Sequence, residues 1–146
     1  MILPTKLPAR VLFVCIGNSC RSQMAEGFAR HQHSDVIAAL SAGVYPASIV
    51  QPETIATMAE KSVSLEGQTP KTIQSIAAEQ VDLLVNMSRV TVLHLFPGFK
   101  SGNLIWEVDD PIGQPMIVYQ DVRDRIETLV AKLAAQLRPE PSGTAE

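Results

Sequence analysis

VLFVCIGNSCRSQMAEGFAR, residues Val11 to Arg30, changes character twice within a short span. Val11 to Cys15 is a continuous apolar run rich in β-formers, the pattern of a strand covered on both faces in a parallel sheet. From Ser22 to His31 the apolar residues Met24, Ala25, Phe28 and Ala29 recur at helical spacing, with polar neighbours between them. Gly17 and Asn18 interrupt the chain in between, and both residue types enter positive φ at low cost, as a tight ring demands. The unit reads strand, tight loop, helix, with a cysteine where the strand gives out and an arginine six residues on.

Outward from this unit the alternation continues. VIAALSAG, ending at Gly43, predicts a second strand, and VDLLVNM and NLIWEV predict two more. QPETIATMAEKS and TPKTIQSIAAEQ each carry a proline in the first turn, Pro52 and Pro70, and predict helices. YQDVRDRIETLVAKLAAQL places Val122, Ile126, Leu129, Val130 and Leu133 on one face and predicts the longest helix. Strands alternating with helices give an α/β fold: one domain over residues 1–146, an open parallel sheet with helices on both faces, and irregular tails at 1–9 and 139–146. Ligands of such sheets collect beyond the carboxyl ends of the strands, which is where Cys15 falls.

The bulk numbers narrow the function classes. A chain of 146 residues with 46% hydrophobic content can bury one sizeable core, and a net charge of -3 argues against a broad electrostatic grip on nucleic acid. No run approaches the roughly 18 apolar residues of a membrane span, and no signal-peptide pattern opens the chain. The two cysteines, Cys15 and Cys20, lie too close together to staple distant segments and suit a reducing compartment. The expectation is a cytoplasmic protein with neither nucleic-acid nor membrane partners.

The chemistry concentrates in the loop Cys15, Ile16, Gly17, Asn18, Ser19, Cys20 and Arg21. Its backbone N–H groups can curl around an anion, and the following helix adds the positive end of its dipole. Such a setting favours a cysteine as thiolate. Arg21 would face the ring with a planar fork matched to two phosphate oxygens, where lysine would offer a point charge. Ser22 can give its hydroxyl to the sulfur and stabilise it as a leaving group. A strand-end cysteine by itself would be an ordinary buried side chain; its company at a strand-to-helix junction is what points to catalysis.

These residues carry a resemblance. VLFVCIGNSCRSQMAEG is similar to the phosphate-binding loop of low-molecular-weight protein tyrosine phosphatases and of the arsenate reductases that share their fold. SAG at Ser41 to Gly43 resembles the family's second-strand end, and WEVDDP at Trp106 to Pro111 its acid loop. The resemblance implies four strands, Cys15 as nucleophile and Arg21 as phosphate clamp. It further implies that Asn18, Ser22 and Ser41 hold the loop in shape, and that Asp110, before Pro111, is the general acid. Asp109 is its electrostatic companion, and the sequence leaves open which of the two carboxylates is the acid.

Two substrate classes follow, since arsenate matches phosphate in shape and charge. The first is a phosphorylated protein or small phosphomonoester, hydrolysed through a phosphocysteine. The second is arsenate, reduced with an external thiol donor, because VNMSRVTVLHLF holds no cysteine where thioredoxin-coupled reductases carry a pair after the third strand. A third reading is an idle phosphate-binding module. Neither cofactor nor metal is expected. Family phosphatases place an aromatic after the Asp-Pro, where this chain has Ile112, and Tyr45 is the candidate substrate wall. His31 suits a cap on the first helix, His94 a partly buried structural role and Trp106 the core.

Overall fold

β1 (Ala9–Cys15) is buried on both faces, as its unbroken apolar run predicts, and forms the middle of the sheet. The computed structural model describes residues 2–139. α1 (Arg21–Gln32), β2 (Ile37–Gly43), α2 (Pro52–Ala59), β3 (Leu83–Asn86), β4 (Gly102–Ile105) and α3 (Met116–Leu137) follow in chain order. The strands form one sheet in the order β2-β1-β3-β4, every neighbour parallel. The chain leaves β1 toward one side for β2 and then crosses to the other side for β3. That reversal opens a crevice at the carboxyl end of β1, where Cys15 sits opposite Gly43.

Helices cover both faces, but of two kinds. Val11, Phe13, Leu83 and Val85 pack under the three α-helices, against Met24, Phe28, Met58, Ile126 and Val130. Leu12, Val14 and Leu84 face short 3₁₀ turns and loops, against Ile73, Val81, Val92 and Phe96. Full burial of a Leu, Ile or Phe is worth roughly 1.5–3 kcal/mol, so both layers are needed to hold β1. Trp106 is half-buried and packs its ring on Phe13, centroids 5.9 Å apart. No described helix is long and apolar enough to cross a membrane.

Three expectations need correction. TPKTIQSIAAEQ forms no α-helix: it makes two 3₁₀ turns, Ile73–Ser75 and Ala78–Gln80. The reason lies before them, where the Lys71 carbonyl accepts the Gly43 N–H at 2.8 Å and Thr72 bridges Gly43 in parallel. That extended pairing holds the chain out of a helix beginning at Pro70. His94 is exposed rather than partly buried. α1 is not amphipathic, since every residue from Arg21 to Ala29 is buried, its polar ones included. β1 starts at Ala9, and residues 140–146 of the expected tail lie outside the described residues.

Candidate active site

The loop between β1 and α1 turns its carbonyls outward. Those of Cys15, Ile16, Gly17 and Ser19 accept the amides of Val44, Tyr45, Ala47 and Gln51 at 2.8–3.1 Å. The Cys20 carbonyl accepts the Met24 amide, and that of Asn18 accepts Gln23 Nε2 at 3.0 Å. The amide N–H groups of residues 16–21 make no hydrogen bond among the described residues. Buried amides in native proteins are nearly always paired, so a loop with its carbonyls satisfied and its donors free has the form of an anion receptor. The N-terminus of α1 adds to it, with no side-chain cap and no acidic residue in the first turn.

Asn18, at φ 50°, makes the sharp turn; Gly17 is not in the left-handed region, contrary to the expectation for it. The Lys71 amide, a fixed donor, points at Asn18 Oδ1 at 2.9 Å and so orients the side-chain amide. Asn18 Nδ2 then donates to Ser22 Oγ at 2.7 Å, and Ser22 Oγ stands in hydrogen-bond contact with Cys15 Sγ at 2.9 Å. The relay ends on the Cys15 sulfur. Gly43 is the close-approach residue: a Cβ there would stand 2.7 Å from the Ile16 carbonyl oxygen and 3.0 Å from the Asn18 amide. Both are backbone atoms, so Gly43→Ala is expected to displace the ring and lower kcat/KM by about 10²-fold in a steady-state assay. Ser41, two residues earlier, gives its hydroxyl to Glu26 of α1 at 2.5 Å and not to the loop; Glu26 in turn pairs with Arg30.

Arg21 is buried. Its Nη1 donates to the carbonyls of Met87 at 2.5 Å and Val108 at 3.2 Å, at the ends of β3 and β4. Nε is buried with no partner among the described residues, and Nη2 lies 3.6 Å from Asp110 Oδ2. The free edge of the fork is therefore Nε with Nη2. Asp110 Oδ1 accepts the Ile112 amide at 3.1 Å, and the buried Val108 and Pro111 anchor this loop on either side. Asp109 faces away, paired with Arg89 at 2.8 Å. Cys15, Ile16, Gly17, Ser19, Cys20, Arg21, Tyr45, Ala47, Asp110 and Ile112 line one pocket of about 270 Å³. Tyr45 and Ile112 are exposed on its rim.

Cys20 is buried beneath the loop, its Sγ 3.8 Å from Ser19 Oγ. Burial pushes its thiol up, against the opposing pull of the neighbouring Thr54 and Ser19 hydroxyls. The buried Thr54 hydroxyl makes no hydrogen bond of ordinary length among the described residues. Tyr119, also buried there, is pushed up to about 12 by burial and by Cys20.

A family described as low molecular weight phosphotyrosine protein phosphatase matches residues 10–142. The chain belongs to this family. It is 37% identical over 131 residues to a glutaredoxin arsenate reductase of Synechocystis, covering 86% of this chain and 98% of that one. A solved arsenate reductase in the phosphate binding state superposes with a TM-score of 0.80 at 33% identity, covering 89% and 99% of the two chains. An arginine phosphatase from Geobacillus stearothermophilus does so with a TM-score of 0.80 at 27% identity, covering 89% and 93%. The proteins this chain is similar to thus include both named reductases and a named phosphatase. Sequence reasoning missed Gln23 and Lys71 as supports of Asn18, and Gln68 as the donor that holds Gln23, because both contacts to Asn18 use a backbone atom.

Proposed function

We propose that the protein hydrolyses phosphomonoesters through a phosphocysteine intermediate. One observation carries this: the Cys15 sulfur lies with free amides, the open Nε–Nη2 edge of Arg21 and the Asp110 carboxylate in one pocket. Cys15 thiolate attacks phosphorus while Asp110 gives its proton to the departing oxygen. The Asp110 carboxylate then takes a proton from water as that water attacks phosphorus. The phosphorus–sulfur bond breaks, and Ser22 stabilises the leaving thiolate. The exposed Tyr45 and Ile112 on the rim suit the organic part of a phosphorylated protein side chain.

The names of the relatives favour a second reading, arsenate reduction. Cys15 would form the arsenate adduct, and an external thiol would attack its sulfur, releasing arsenite with the electron pair and leaving a mixed disulfide for a second thiol to reduce. An external donor is the reading taken, because Met87 and Ser88 stand after β3 where thioredoxin-coupled reductases carry a cysteine pair, and Cys20 is the chain's one other thiol. Side-by-side assays of aryl phosphate hydrolysis and of arsenate reduction with thioredoxin, glutathione–glutaredoxin and mycothiol separate the two. Hydrolysis is expected to have the larger kcat/KM; reduction exceeding it with any donor reverses the assignment.

A further inference from the structure

The turn leaving β3 touches both the nucleophile's strand and the clamp. The Met87 amide donates to the Val14 carbonyl at 2.8 Å, one residue before Cys15, while the Met87 carbonyl accepts Arg21 Nη1 at 2.5 Å. Two buried side chains flank this peptide and close a small network. Asn86 Oδ1 accepts the Ser88 amide at 2.9 Å and the Ser88 hydroxyl at 2.6 Å, and Asn86 Nδ2 donates to the Val90 carbonyl at 2.8 Å. Ser88 Oγ also accepts the Val90 amide at 3.2 Å. Between them Arg89 holds φ 66°, a left-handed conformation uncommon for a residue with a side chain, which persists only where its surroundings over-determine it.

A planar guanidinium whose Nη1 is tethered has its opposite edge aimed by that tether. The alternative for an untethered Arg21 is close at hand, because Asp110 Oδ2 is 3.6 Å from Nη2. A guanidinium free to swing would close on that carboxylate, and the carboxylate would then compete with an incoming anion.

We propose that Asn86 and Ser88 are positioning residues for the oxyanion clamp: they fix the Met87 carbonyl, which holds Arg21 so that its Nε–Nη2 edge faces the loop. This rests on the oxyanion reading of the site. The test is protection of Cys15 from iodoacetamide by inorganic phosphate, read by mass spectrometry, which yields a phosphate dissociation constant without turnover. Asn86→Ala is expected to weaken protection by about tenfold, the scale of one charge-assisted hydrogen bond moved off its geometry, with alkylation in the absence of phosphate little changed. Asn86→Asp, which keeps the acceptor for Ser88, should lie between Asn86→Ala and wild type. Val130→Ala in the core should lower Tm without moving the constant. Should Asn86→Ala not fold, Ser88→Ala carries the same expectation. Equal protection in wild type and variant overturns this proposal alone; no protection of the wild type overturns it together with the oxyanion reading.

Discussion

Cys15→Ser is expected to abolish turnover of an aryl phosphate, a loss on the order of 10⁴-fold or more, while the variant still binds inorganic phosphate. The two halves of that expectation come from different atoms. The anion receptor is backbone and Arg21, neither of which the substitution touches. The nucleophile is the sulfur alone, and a serine hydroxyl in the same place resists ionisation near neutral pH, since no general base contacts it. Serine Oγ would still lie near Ser22 Oγ, so the fold of the loop has little reason to change. The companion measurement is alkylation of the wild type with iodoacetamide. Cys15 should be labelled and Cys20 spared, because burial keeps the Cys20 thiol protonated. EDTA should leave wild-type turnover unchanged. Undiminished turnover in Cys15→Ser, or labelling confined to Cys20, ends the covalent mechanism.

The sheet and the reactive loop are legible in the sequence because their signals are side-chain signals. A strand buried on both faces must be apolar throughout, and Val11 to Cys15 is. A ring with one left-handed residue needs a type such as Asn18 there. What escapes the sequence is held by main chain. The Met87 and Val108 carbonyls that hold Arg21 would be carbonyls whatever residues stood there, and the Lys71 amide that orients Asn18 has no letter of its own. The misread segment after Pro70 fails for the same reason, since its pairing with Gly43 is a backbone contact that overrides local helical preference. The polar residues of α1 mislead differently: Gln23 and Glu26 suggest a wet face, yet both are buried because the loop and Ser41 give them partners.

Asp110→Asn is expected to slow hydrolysis of phenyl phosphate by about 10³-fold, within the usual range for removing a general acid. An amide keeps the hydrogen bond from the Ile112 N–H through its one oxygen, which holds the loop, and turns an NH2 toward Arg21, so a loss reports the missing proton and carboxylate and not a displaced loop. The effect must depend on the leaving group. A p-nitrophenolate departs with little help, so its first step should be nearly spared and the phosphocysteine should accumulate, seen as a burst of phenolate followed by slow turnover. Asp109→Asn serves as the opposing arm. Its carboxylate is exposed and paired with Arg89, away from the pocket, and an exposed pair of this kind contributes little. It should therefore leave kcat/KM within about twofold, consistent with ordinary surface substitutions. A larger loss in Asp109→Asn than in Asp110→Asn would exchange the roles of the two carboxylates. Unchanged phenyl phosphate turnover in both would mean that neither protonates the leaving oxygen. If phosphate nonetheless protects Cys15 and the wild type turns over no ester, the chain is an oxyanion-binding module that happens to carry a nucleophile.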